Sequence, residues 1–481
     1  MMAFFDIRDV FRIGKQRKLR LGLWLIAVIA LTLWLFFQNY RESEQAATAC
    51  IIASLIFFAA ELVWIFIASD RRVTPLILFL IVFYLVRNCQ FLLILFGVPF
   101  DVHHLVLLKE QLKGGIVLTS AGNVWAGYAG IVATVPQKEL RRMPPRVASQ
   151  DCTDERRLFA FLCIGFLLTG VGAYGAAILR FSRFSENGMA AVEELNGRIP
   201  MILSWVEALF VPFGFASVAY FGKKHFGAVA IGALTGYFLL TLVCGSLPLG
   251  VGGLVAMVFL ICLIMQTSRV RVQTFSIFAA IGILMLLLSF LVTLMREPNG
   301  LEKLSLRNIV IDTVSEIGYG CVALLAALRI VPTSEPFLFG RGYAESLLGG
   351  ILPPQTDSVG FLARLTADTR IYETWGQHYF GELKGIESFP DAYAYLNFGQ
   401  FGFLAIFVLC VLIACLLNRY RQYERDCKFP KYAACVLLYA SLTFSYRGGT
   451  AILRMFVWGV VLMSLAICGC GKRDENTKRD L

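Results

Sequence analysis

The hydrophobic residues of this chain fall into long runs separated by short, mostly basic stretches. A helix needs about 20 predominantly apolar residues to cross the hydrocarbon layer of a bilayer. Twelve stretches come near that length: 21–38, 46–69, 74–100, 115–135, 158–179, 200–220, 226–245, 249–267, 274–295, 393–417, 432–446 and 455–469. The pattern predicts an all-α, polytopic integral membrane protein of about 12 transmembrane helices. The last two stretches are short enough to form one broken hairpin, but two crossings fit the distribution of charge better.

That distribution also orients the chain, because short loops rich in Lys and Arg stay on the cytoplasmic side. The segment before the first run carries Arg8, Arg12, Lys15, Arg17, Lys18 and Arg20, which puts it inside. Alternating from there, inside loops and the tail collect 27 basic residues against 8 in the short outer loops. Both termini are therefore expected in the cytoplasm. The N-terminal segment lacks a small-residue cleavage site behind a short apolar core, so it reads as a cytoplasmic flank.

Composition agrees. Of the 481 residues, 58% are hydrophobic and 16% charged, where a soluble domain has about 25% charged residues. This argues against a soluble enzyme, a disordered chain and a disulfide-stapled module. The net charge of +11 does not point to nucleic acid, since the basic residues lie between apolar runs and not on one face of a soluble domain. The 13 cysteines fall mostly in spans or inside loops. They form neither a disulfide framework nor the paired CxxC sets that zinc takes.

The runs divide the chain into residues 1–296 with spans one to nine, a long outer segment 297–392, and residues 393–481 with spans ten to twelve and a cytoplasmic tail. Within the outer segment, Asn308 to Leu328 is nearly apolar enough to cross. A crossing there would put the basic loop at 419–431 outside, so the stretch is expected to be an amphipathic or re-entrant helix at the outer face. Asp312, Glu316 and Tyr319 share one side of it at i, i+4, i+7 spacing; a core helix with a hydrated edge is the alternative.

The rest of the segment brings together Arg329, Arg341, Arg364, Arg370, Glu373, His378, Glu382 and Asp391 with several glycines and the aromatics Tyr372, Trp375, Tyr379 and Phe380. Aromatic rings beside carboxylates suit a sugar, whose apolar face stacks while its hydroxyls take hydrogen bonds. A guanidinium suits phosphate, since it donates two parallel bonds and keeps its charge. A phosphorylated, sugar-bearing substrate at the outer surface is the reading that joins the two.

Tyr393-Ala-Tyr395-Leu-Asn397-Phe-Gly399-Gln-Phe-Gly402 leads into the tenth span, and Arg329 is followed by Gly340 with ten residues between. With the late outer segment and about twelve spans, these stretches make the chain resemble the Wzy-type O-antigen and oligosaccharide repeat-unit polymerases. The outer loop at 180–199 is much shorter than that family's usual earlier loop. The resemblance implies a glycosyltransferase of the bacterial inner membrane that joins oligosaccharide repeats carried on undecaprenyl pyrophosphate, as in O-antigen or capsular polysaccharide and hence lipopolysaccharide biosynthesis. It leaves room for a chain-length-regulating copolymerase as partner. Such a transfer inverts the anomeric carbon, needs cations for the leaving pyrophosphate and a base for the attacking hydroxyl, and with arginines supplying the cations calls for no metal or other cofactor.

On that basis Arg87, Arg329, Arg341 and Arg364 are pyrophosphate candidates, Glu316, Asp391 and His378 are candidates for the base, and Tyr372, Trp375 and Tyr379 for a sugar platform. Each has a plainer reading as a loop charge, a hydrated helix face or an interfacial anchor. Arg87 lies midway along the third span, where a charge is costly and must find a partner; it either lines a cavity or pairs with Glu61 of the second span. Glu207 of the sixth span either lines a cavity or closes a helix–helix hydrogen bond. Two other functions stay open. A ligase would pass a finished glycan from the same carrier, and a secondary transporter or flippase would show two related halves, which this chain does not. The pair Glu42 and Glu44 after the first span offers a weaker hint of a metal-binding lipid-linked glycosyltransferase.

Overall fold

The computed structural model describes residues 15–40, 44–69, 74–95, 110–134, 155–198, 201–221, 225–243, parts of 253–261, 311, 321–334, 336–341, 343 and 390–419. There the apolar runs become helices: α1 (Lys15–Asn39), α2 (Glu44–Ala68), α3 (Pro75–Leu95), α4 (Leu112–Thr134), α5 (Glu155–Arg198), α6 (Met201–Phe221), α7 (His225–Val243), α8 (Cys321–Ile330), α9 (Pro390–Phe398) and α10 (Gly402–Arg419). Among the described residues, seven segments are long and apolar enough to cross a membrane, as the apolar runs require of a polytopic membrane protein. The expected spans at 274–295, 432–446 and 455–469, and most of 249–267, lie outside the described residues.

The helices gather in two compact units. The first holds α1 to α4 and α8 to α10, with α4 at its centre: α1, α2, α3, α8, α9 and α10 all pack on it. Of the seven membrane-length segments α4 is the least hydrophobic and the most buried. The two properties have one cause. A helix surrounded by other helices need not satisfy lipid, so it can use small residues that let neighbouring backbones approach. Gly114, Gly115, Gly122, Gly127 and Gly130 do this: a Cβ on Gly115 would fall 2.6 Å from Leu325, and one on Gly130 2.7 Å from Leu80. The larger residues of α4 lock the bundle. Trp125 donates its indole N–H to the Thr32 hydroxyl of α1 at 3.0 Å, and Tyr128 stacks on Phe407 of α10.

The second unit includes α5, α6 and α7, which pack on one another. Phe166 stacks on Phe210, while the Tyr174 hydroxyl donates to the Ala233 carbonyl at 2.5 Å. With 44 residues, α5 runs about 66 Å at 1.5 Å per residue, roughly twice the hydrocarbon thickness. Residues 180–198, expected as a loop, continue this helix. The reason lies in their content: Met189-Ala-Ala-Val-Glu-Glu-Leu195 favours helix, and no proline intervenes before Pro200.

The end of the stretch expected as an outer-face helix over 308–328 falls in the helix α8, which runs on to Ile330. Cys321 to Ala327 and Ile330 are buried against α4, α3 and α9. Glu316 and the polar face it belongs to lie outside the described residues.

Candidate functional site

Three elements of the first unit build one buried polar centre. On α3, Phe83 and Arg87 stand four residues apart and so share a face. Arg87 donates through Nε and Nη2 to the two carboxylate oxygens of Asp391, a bidentate pair. Its Nη1 donates to the Asn123 side-chain oxygen at 2.8 Å, and its guanidinium carbon lies 4.3 Å from the centre of the Phe83 ring. The first turn of α9 supplies Asp391, where the exposed N–H groups of a helix start favour a carboxylate. From α4 come Asn123 and Gly122. A Cβ at 122 would lie 2.5 Å from Arg87 Nη2 and 3.2 Å from Asp391 Oδ1, so only glycine leaves room for the pair.

Arg87 is 1% and Asp391 5% exposed. Unpaired charges so deep would be prohibitive, and the fork of bonds between them is what makes burial tolerable. In this arrangement each spends its charge on the other. The guanidinium and the carboxylate face each other across the pair. Of the two fates open to Arg87 from sequence, the structure gives a pair, but its partner is Asp391 and not Glu61. The Glu61 carboxyl is buried against Gly127 of α4 with no hydrogen-bond partner among the described residues. The Asn123 amide nitrogen and the Ser120 hydroxyl are likewise buried without one.

Around this centre the two stretches that carry chemistry in the sequence, 329–341 and 391–402, fasten onto each other. The Tyr395 hydroxyl donates to the Val331 carbonyl at 2.9 Å, and Leu338 N–H to the Leu396 carbonyl at 2.9 Å. Tyr343 stands edge-on to Tyr393 and stacks on Phe398. Its hydroxyl is buried without a partner among the described residues. Burial, and after it the neighbouring Tyr393 and Asp391, push the Tyr343 phenol above the ordinary tyrosine range, so it stays neutral. Gly399 adopts φ +59°, and a Cβ there would press on Phe337 at 3.0 Å. At Gly402 a Cβ would sit 2.7 Å from the Ala394 carbonyl carbon, a contact with backbone that cannot yield.

This fastening holds two arginines outward. Arg329 ends α8 exposed, and the Thr333 hydroxyl donates to its carbonyl at 2.6 Å. Arg341 is exposed just beyond a tight turn in which its N–H donates to the Leu338 carbonyl at 3.0 Å. The two residues at the tip of that turn, Phe339 and Gly340, have φ +48° and +86°. Such a conformation costs a non-glycine residue of order 1–3 kcal/mol.

The structure therefore brings Arg87 and Asp391 into contact and places Arg329 and Arg341 at an exposed edge of the same unit. Arg364, His378, Tyr372, Trp375 and Tyr379 lie outside the described residues, as does Glu316. Among the described residues no three His, Cys, Asp or Glu side chains converge as metal ligands. Sequence reasoning missed Asn123, Gly122 and Tyr343. An Asn inside an apolar run was a usable signal, since a polar side chain at that depth needs a reason; Tyr343 gave none. The expected alternatives for Glu207 resolve to helix–helix hydrogen bonding in the second unit, where it accepts two bonds from Arg180, one at 2.9 Å, and one from the Tyr237 hydroxyl at 3.0 Å.

Comparison with curated proteins and with solved structures finds no match. A family model described as O-antigen polysaccharide polymerase Wzy matches residues 20–473, a range that takes in the Arg87–Asp391 centre, both fastened stretches and every span predicted from sequence. By that match over nearly its whole length, the chain belongs to the O-antigen polysaccharide polymerase Wzy family.

Proposed function

We propose that this protein polymerises oligosaccharide repeat units carried on undecaprenyl pyrophosphate at the outer face of the bacterial inner membrane, by an inverting transfer that uses no metal. The observation that carries the reading is the family match across residues 20–473. Twelve crossings with both termini in the cytoplasm place residues 297–392 on the outer side, where such units are presented.

In the reaction a hydroxyl oxygen of the incoming unit attacks the anomeric carbon of the growing chain. The bond from that carbon to the pyrophosphate oxygen breaks, the attacking hydroxyl gives its proton to a base, and undecaprenyl pyrophosphate leaves with the bonding pair. Arg329 and Arg341, with Arg364, meet the charge that gathers on the leaving group. Glu316 or His378 takes the proton, and Tyr372, Trp375 and Tyr379 hold sugar faces. Arg87 and Asp391 reach substrate only in a state where they have parted. While paired, they fix the start of α9, on which the Arg341 turn is fastened, and so act as positioning residues.

Deleting the gene in its own host and separating the surface glycolipids on a gel tests the reading. Polymerase loss leaves a single-repeat band without a ladder, restored by the gene in trans. A full-length ladder retained on its lipid carrier would instead make the protein a ligase, and an unchanged pattern would remove both.

A further inference from the structure

The turn Leu338-Phe339-Gly340-Arg341 carries a residue its backbone does not want. Both central positions have positive φ, at +48° and +86°, and the Arg341 N–H closes the turn on the Leu338 carbonyl. Turns of this kind take Asn, Asp or Gly at the first central position, because a larger side chain crowds the following carbonyl. Here a phenylalanine occupies it, and its ring is not tucked away: Phe339 is 79% exposed, touching Phe337 only edge-on. Among the described residues the ring gains little burial in return for the strained backbone. The surroundings make the position rigid. Leu338 is bonded to Leu396, Phe337 packs on Tyr395, and Gly340 lies against Phe398. An exposed guanidinium, Arg341, stands two residues away.

A flat apolar ring held rigidly beside an exposed cation fits a ligand with an apolar face next to an anion. We infer that Phe339 stacks on the sugar that adjoins the pyrophosphate of a lipid-linked repeat unit, while Arg341 takes the phosphate. This deepens the proposed function and rests on it. The ring's contribution is to binding and register and not to bond breaking, so its loss acts on KM for the lipid-linked unit and on how long a growing chain stays bound, with kcat little changed.

The backbone supplies the test. F339N places Asn-Gly at the turn's centre, the pair that this geometry prefers, so the fold should be at least as stable as the parent. Purified full-length protein in liposomes, given undecaprenyl-pyrophosphate-linked repeat units, should show KM raised roughly three- to tenfold for F339N, with a shorter ladder when the variant replaces the parent in cells. F339W, which keeps a flat ring, should retain parental KM and ladder. F339L keeps an apolar side chain without a flat face and should behave as F339N does. Parental KM and ladder in F339N would overturn the inference, and so would parental behaviour of F339L, which would make the residue an anchor in lipid. Collapse of the ladder on gene deletion together with a parental F339N would sink this inference alone; no collapse on deletion would sink the polymerase reading beneath it.

Discussion

Both units of the protein place a bidentate arginine–carboxylate pair between two helices, and the two pairs differ in what they hold together. In the second unit Arg180 and Glu207 are 27 residues apart, on consecutive helices, each side chain still partly exposed, and Tyr237 gives the carboxylate a third donor. In the first unit Arg87 and Asp391 are 304 residues apart and almost fully buried. The former reinforces a contact that chain connectivity already favours. The latter is the polar clamp between α3 and α9, two elements with no short connection, and it lies next to the stretch that displays Arg341. Depth decides how much each matters, because an unpaired charge costs more the further it is from water.

Breaking the deeper pair by one side is expected to have the largest effect. R87A leaves the Asp391 carboxylate buried without its partner, and D391A does the same to the guanidinium. Either should cost about 3–5 kcal/mol and deplete the protein from the membrane fraction. The double variant R87M/D391L, which fills the space with apolar groups, should return most of that stability. Protein level and thermal unfolding in detergent read both. Restored polymer in the double variant would fix the pair's part as positioning; folded protein without polymer would return a direct role in the reaction to one of its members.

Next in size is G402A. The added methyl meets the Ala394 carbonyl carbon at 2.7 Å and its oxygen at 2.8 Å, and neither can move without disturbing α9. Overpacking of this kind costs about 1–3 kcal/mol. The displacement should reach the Arg341 turn through Leu396, so polymer should fall more steeply than protein level. An unfolding temperature equal to the parent's would show that α9 and α10 shift freely.

In the second unit E207Q keeps the side chain's shape and an oxygen to accept with, and gives up the charge. The loss should be about 1 kcal/mol, below that of either single change in the Arg87 pair. If E207Q proved as damaging as D391A, exposure would not be what separates the two pairs, and the second unit's cluster would need a function of its own.

How much of this was legible in the sequence follows from which forces act locally. Run length and apolar content are local, so the helices were readable. That Arg87 needs a partner was readable too, from the energetic cost of its position. Which partner it takes was not, because depth in the membrane is the only coordinate a span reveals. Glu61 matched that depth, while rotation about each helix axis and the folding back of α9 brought Asp391 instead. Asp391 itself looked like the edge of a loop, since α9 begins at Pro390 and breaks at Gly399 before α10. Residues 180–198 were misjudged for the converse reason: their polarity suggested a loop, whereas their helix propensity carries α5 onward. The motif stretches could be recognised one at a time, but that Tyr395 bonds Val331 is a relation between them that no local pattern contains.

The smallest effect on stability and the largest on chemistry should coincide at Arg329 and Arg341. Both are exposed, and R329A and R341A should each stay within about 0.5 kcal/mol of the parent. If they meet the leaving pyrophosphate, each loss removes stabilisation present only as charge develops, on the scale of about 10²–10³ in rate for a preorganised donor. R341K separates charge from geometry: it keeps the cation but not the planar fork that matches two phosphate oxygens, so it should fall between the parent and R341A. Turnover of lipid-linked repeats in liposomes, read beside thermal unfolding, gives both axes. A variant as stable as the parent and slower by two orders of magnitude puts the exposed edge in the reaction and leaves the buried pair to hold it in place. Parental turnover in both alanine variants would take the pyrophosphate away from this edge, and the search for its cations would pass to Arg364 and to an opened Arg87.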